Sequence, residues 1–337
     1  MGRIREEDYA YAAAHIRAIE MKLITENKMN RLLDMVNPED AIKFLTESGY
    51  GADLPDSYKS LTGVEKLFDA EQKKAYNLLI DVLPDSQPVR LFQKRYDYLN
   101  TKLILKAEFL GIDVLERLSP LGTISPEKLL KYISERNYKE LPEILAGAVE
   151  ESLDAFSLTR DPQLIDFIVD RASYRNMLAD AEDYGDPFLV ELVKRLIDVS
   201  NIRVFIRAKI LKQTSDFIGK VFISGGSIPD DSLKNLAESS LEDFLQNLKT
   251  YQLEKLSLRL LKVFEENKGI SEVEKVLDDY IIEFLKSSKY VTLGIEPVIA
   301  YLFFKETEIK NARLILTGLV NRIPPETIKE RLRMGYA

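Results

Sequence analysis

Asp97-Tyr-Leu-Asn100, Asp198-Val-Ser-Asn201 and Glu308-Ile-Lys-Asn311 are three copies of one pattern, an acid followed three residues later by asparagine. Two residues beyond each asparagine come a base and an aliphatic residue: Lys102-Leu103, Arg203-Val204 and Arg313-Leu314. A proline precedes each copy, at Pro88, Pro187 and Pro297. An ungapped octamer follows each: GTISPEKL from Gly122 to Leu129, GSIPDDSL from Gly226 to Leu233, and NRIPPETI from Asn321 to Ile328. Inside each octamer, Ser or Pro, then Pro or Asp, then an acid reads as a helix start, since these residues cap or tolerate the first turn. The asparagines lie 101 and 110 residues apart, too far for solenoid repeats of ~20 to 50 residues but natural for three small helical subdomains. The expected partition is 1–135, 136–240 and 241–337, with approximate boundaries.

The intervening sequence has helical periodicity. Tyr9, Ala12, Ile16, Ile19 and Leu23 recur at spacings of three and four, which predicts one amphipathic helix. Asn37-Pro38-Glu39-Asp40 predicts a capped helix start and Gly49-Tyr50-Gly51 its stop. Asp186-Pro187 predicts the start of a helix longer than twenty residues, and Ser271 with Glu274 has capping-box spacing after Gly269. No Asn-Gly or Asp-Gly hairpin turn occurs, and the β-branched residues fall inside helical patterns. The fold class is all-α.

At 337 residues the chain exceeds the ~250 to 300 at which a single core stops growing, which agrees with several subdomains. Charges of 47 Lys+Arg against 55 Asp+Glu leave −8, against a nucleic-acid partner held through phosphates. Zero cysteines and one histidine, His15, remove thiol chemistry, disulfides and any metal site needing two imidazoles. No run approaches the ~18 apolar residues of a membrane span, and no glycine-rich phosphate loop is present. The start MGRIREEDYAYAAAHIR lacks an apolar stretch of signal-peptide length, so the expectation is a cytoplasmic protein.

Catalytic readings find little support. Asp278-Asp279 with Glu283 resembles the acidic helix by which isoprenoid enzymes hold magnesium diphosphate. However, Asp278 points away from the face Asp279 and Glu283 share, and no second such helix occurs. His15 reads as a packed or half-exposed residue. No catalytic, cofactor-binding or metal residue is expected. The pairs Asp97/Asn100, Asp198/Asn201 and Glu308/Asn311 share a helical face, and three equivalent copies suit architecture better than one active centre. A structural repeat signature is therefore preferred to a ligand pocket.

The stretch Glu296-Pro, Ala300-Tyr301, Lys305-Glu306, Glu308-Ile-Lys-Asn311-Ala-Arg313, followed by Ile323-Pro-Pro-Glu-Thr-Ile328 and Arg331-Leu332, resembles the C subunit of archaeal and bacterial V/A-type ATPases. The eukaryotic counterpart is the d subunit. Tyr9-Ala-Tyr11 with His15-Ile-Arg17 and Glu20 is similar to the family's opening helix, and Asn201, Arg203 and Gly225-Gly226 fit its centre. One departure is Leu319 to Arg322, where the family pattern has a Gly-Lys-type loop with another glycine. The resemblance implies three helical subdomains in a funnel with pseudo-threefold symmetry. It also implies a non-catalytic rotor socket on the cytoplasmic face, between the membrane proteolipid ring and the D and F proteins of the central stalk. Loops after the long helices, near Gly111, Gly226 and Gly318, are expected at a rim, with Lys220 and Arg322 as contact candidates. A freestanding all-α adaptor has the same composition and is the alternative.

Overall fold

The computed structural model describes residues 5–336 except 53, 56 and 58, and these residues form helices and no strand. The first helices are α1 (Ala10–Glu20), α2 (Glu26–Leu33), α3 (Pro38–Glu47), α4 (Val64–Val82), α5 (Gln87–Gln93) and α6 (Arg95–Leu110). Next come α7 (Pro126–Ser134), α8 (Glu143–Thr159), α9 (Pro162–Tyr184), α10 (Pro187–Ile210), α11 (Ser215–Val221) and α12 (Asp230–Ala237). The last are α13 (Leu241–Asn247), α14 (Glu254–Glu265), α15 (Ile270–Lys286), α16 (Glu296–Val320) and α17 (Pro325–Arg331). No described helix is long and apolar enough to cross a membrane.

The starts follow local chemistry. Asn37 accepts the Glu39 amide, and Asp186 accepts those of Phe188 and Leu189, each ahead of a proline in the first turn. All three octamers open a helix, at α7, α12 and α17. Two expected ends move. The helix expected from Tyr9 to Leu23 ends at Glu20, and the Ile24 amide is taken by a distant carboxylate. The helix expected to start at Ser271 starts at Ile270, with extended Gly269 as its cap, so Ser271 lies in the first turn.

The chain divides into two compact units, Arg90–Leu261 and a second made of Met1–Val89 with Lys262–Ala337. The first holds the Asn100 and Asn201 copies of the signature, and the second the Asn311 copy with the N-terminal helices. In Arg90–Leu261, α6 and α9 run antiparallel, joined by Lys94–Asp180, Lys102–Asp170 and Lys106–Asp166 at 2.6 Å each. A core of Tyr98, Ile104, Leu105, Leu129, Leu145, Val149, Ile165 and Val169 fills the space beneath these ion pairs. In the other unit α16 is central: Ile309, Ala312, Ile315 and Leu316 pack with Leu32, Ile42, Leu45, Leu67 and Phe68 of α2, α3 and α4. Burial of such side chains contributes about 1.5–3 kcal/mol each before entropy is counted.

Candidate functional site

All six signature residues are buried, and each asparagine is a two-point clamp on a later backbone segment. Asn100 Nδ2 donates to the Ser119 carbonyl at 2.9 Å, while its Oδ1 accepts the Ser119 amide at 2.8 Å. Asn201 does the same with Ile223, at 2.8 Å in both directions, and Asn311 with Arg333, at 2.9 Å in both. A carboxamide is suited to this, since it presents a donor and an acceptor side by side to one peptide unit. Each clamp ties a long helix to a segment that follows it by 19 or 22 residues.

The acids serve a second segment. Asp97 accepts the Thr123 amide (3.1 Å) and hydroxyl (2.5 Å) and the Ile124 amide (3.0 Å). Asp198 accepts the Ser227 amide (2.9 Å) and hydroxyl (2.5 Å). The octamer glycines are thereby explained: a Cβ at Gly122 would lie 2.2 Å from Asp97 Oδ1, and at Gly226 2.3 Å from Asp198 Oδ1. Burial raises the pKa of both carboxyls against the opposing pull of these hydrogen bonds, that of Asp198 to about 6.

Glu308 departs from this arrangement. Among the described residues its hydrogen bonds come from elsewhere than its own octamer, which has Asn321 where the others have glycine. Glu308 instead accepts the amide of Ile24, the Tyr50 hydroxyl (2.6 Å) and Lys305 Nζ (2.7 Å). Ile24-Thr25 stands where Ile124-Ser125 stands for Asp97: the isoleucine amide meets the acid, and the next residue caps a helix. Thr25 accepts the Lys28 amide and Ser125 that of Lys128. The N-terminal segment thus completes the third copy. Lys305 also bridges Glu71 at 2.9 Å; burial lowers its pKa, but Glu308 and Glu71 outweigh burial and the net shift is upward. Burial and the Glu308 charge push the Tyr50 phenol well above its ordinary range.

A further element recurs at fixed distance from each asparagine. Eleven residues on stands a residue in the left-handed region: Gly111 (φ 64°), Lys212 (φ 55°) and Arg322 (φ 54°). One residue later an amide closes the helix onto a small residue, Ile112 onto Ala107, Gln213 onto Ala208 and Ile323 onto Gly318. This is the 6→1 bond of a Schellman ending. Of the three glycines expected to end long helices, only Gly111 does so. Gly226 lies between α11 and α12, and Gly318 sits inside α16 against Ile328. The contact candidate Arg322 therefore has Lys212 as its counterpart, which periodicity alone did not single out. Counting from the asparagine would have found it. Lys220, on α11, is exposed and pairs with Asp216 at 2.7 Å.

The acids that resemble a metal-binding helix hold the chain's own tail. Asp278 accepts Arg333 Nε at 3.0 Å and also Lys310, and Asp279 accepts the Met334 amide at 2.6 Å. His15 is half-buried, its ring 6.0 Å from that of Tyr11.

The fold defines an all-α protein whose long helices are tied through buried asparagines to later segments of the chain. The chain belongs to the ATP synthase (C/AC39) subunit family, which it matches over residues 12–331. It is similar to the C subunit of the A-type ATP synthase of Methanocaldococcus jannaschii, at 28% identity over 96% of this chain and 86% of that protein. It is also similar to the C subunit of the V-type sodium ATPase of Enterococcus hirae, at 28% over 95% and 97%. The C subunit of the A-type ATP synthase of Thermococcus kodakarensis is 26% identical over 96% and 89%.

Proposed function

We propose that the chain is the non-catalytic central-stalk socket of a rotary A/V-type ATPase. One face would meet the proteolipid ring on the cytoplasmic side of the membrane, and the opposite face the D and F proteins of the stalk. Torque would then pass between ion flow and ATP hydrolysis or synthesis. The reading rests on the family match across residues 12–331. The clamps supply the mechanical reason. A torque element has to resist bending, and a helix of 16, 24 or 25 residues pinned mid-length by paired backbone bonds is a stiff strut. In this reading the copies mark three subdomains, near 1–135, 136–240 and 241–337, the last completed by residues 23–25.

The test is a pull-down of tagged protein against separately purified proteolipid ring and D/F stalk. Binding to both, with a ternary complex at one copy each, is the expected result. Folded protein that captures neither would remove the socket reading and leave a freestanding helical adaptor in its place.

A further inference from the structure

Residues 333–336 form no helix, yet they are held by side chains of the unit to which they belong. Asn311 clamps the Arg333 backbone, Asp278 accepts Arg333 Nε at 3.0 Å, and Asp279 accepts the Met334 amide at 2.6 Å. Lys289 donates to the Tyr336 carbonyl and lies 3.9 Å from the centre of its ring, which meets Phe304 edge-on at 4.9 Å. Burial, and then the Glu20 carboxylate at its hydroxyl, push the Tyr336 phenol up to about 12. Asn311, Asp279 and Phe304 are themselves buried, so the segment rests on a floor built by α15 and α16.

The other two copies show what this segment is. Ser119 stands two residues past the turn Leu115–Arg117, Ile223 two past α11 and Arg333 two past α17, and each is the residue its asparagine clamps. Five residues on in the first two copies, Ile124 and Ile228 give their amides to the acid, and the chain runs directly into α7 and α12. In the third copy that amide comes from Ile24, and among the described residues the backbone joins 333–336 to α17 alone. One loop, anchored by helices on both sides in two copies, is thus two separate pieces in the third. A loop fixed at both ends returns to its clamp at high effective concentration, and a segment fixed at one end does so less readily.

We propose that residues 333–336 are a releasable strap: a peptide of the chain's own, seated in a preformed site of Asn311, Asp278, Asp279, Lys289 and Phe304, that lifts without unfolding α15 or α16. The site reads a base by one carboxylate and peptide backbone by a carboxamide and a second carboxylate. It reads an aromatic ring three residues beyond the base by Phe304 and Lys289. Its ligand class is a short peptide of the form Arg-x-x-Tyr, and its resident ligand is the strap. The inference is independent of the socket reading, and neither measurement below involves ring or stalk.

Hydrogen exchange of the full-length chain tests the release. The Arg333 amide should exchange at least roughly tenfold faster than its clamped counterparts at Ser119 and Ile223, and without exchange at the Ala312 amide of α16 in the same unit. Exchange at Arg333 as slow as at both counterparts, or only together with Ala312, overturns the proposal. A labelled peptide of residues 331–336, Arg-Leu-Arg-Met-Gly-Tyr, tests the site by fluorescence anisotropy. It should bind full-length Arg333→Ala/Tyr336→Ala, whose own strap is weakened, at least roughly tenfold more tightly than wild type, whose strap competes. Asp278→Asn in that background should weaken binding by roughly tenfold, through loss of one charge-assisted bond. A folded variant that does not bind, or equal binding by variant and wild type, overturns the proposal.

Discussion

Glu308, on the last long helix, accepts the backbone amide of Ile24, 284 residues earlier in the chain. In the first copy of the signature the equivalent bond, Ile124 to Asp97, spans 27 residues. The third copy is thus closed by the opposite end of the polypeptide, and its acid is a glutamate that also gathers Tyr50 and Lys305.

Glu308→Ala is expected to destabilise the protein by about 3–5 kcal/mol, because it leaves Lys305 short of one partner and strands Tyr50 and the Ile24 amide in a buried site. Tyr50→Phe, which removes one hydrogen bond to the carboxylate, should cost about 1–3 kcal/mol. Urea unfolding curves measure both. A Glu308→Ala midpoint equal to wild type would show that the closure contributes nothing to the fold.

Asn201→Ala removes both halves of a clamp and orphans the amide and carbonyl of Ile223, which is itself buried. The expected loss is about 2–4 kcal/mol, from two stranded backbone groups. Hydrogen exchange at the Ile223 amide should accelerate in the variant more than exchange at amides in the middle of α9. Equal acceleration everywhere would point to general loosening instead of a local clamp.

Asp198 titrates at about 6 in the folded chain against 3.8 when free, because burial disfavours its charge more than Ser227 favours it. A raised carboxyl pKa means that the folded state holds the proton longer. Its contribution is full below pH ~4, falls as the pH rises to ~6, and is level above that. Relative to wild type, Asp198→Asn should therefore gain up to about 3 kcal/mol between pH ~4 and ~6, from a shift of about two units. Stability measured by urea at five pH values checks this, and a constant difference across that window would contradict it.

Arg322→Gly and Lys212→Gly should each stabilise by about 1 kcal/mol, since both side chains sit where a Cβ is disfavoured. Gly111→Ala at the matching position should cost about as much. Thermal and urea midpoints of the three variants decide it. A destabilised Arg322→Gly would mean that its guanidinium makes a contact outweighing the strain.

The octamers show how far local reading extends. Each opens a helix as its residues predict, through the Ser125 cap in the first and an extended proline ahead of the first turn in the other two, because helix starts depend on neighbours within one turn. Similarity of octamers did not reveal that Glu308 takes its backbone amide from Ile24, where Asp97 and Asp198 take theirs from their own octamers. The sign was present in Asn321, which stands where Gly122 and Gly226 make room for a carboxylate. Arg322 behaves likewise: its side chain is long and charged, yet the backbone keeps the left-handed turn that a glycine would serve.

Helix class, the helix starts at Pro38, Pro187 and the three octamers, and the recurrence of the acid–asparagine pairs were legible in order along the chain, because periodicity, capping and i to i+3 geometry are short-range. The partner of Glu308 and the pinning of residues 333 and 334 by Asn311, Asp278 and Asp279 were not. Each depends on segments brought together by packing of apolar faces. That packing is non-directional, so which polar groups it leaves facing one another is settled only when the helices are in place.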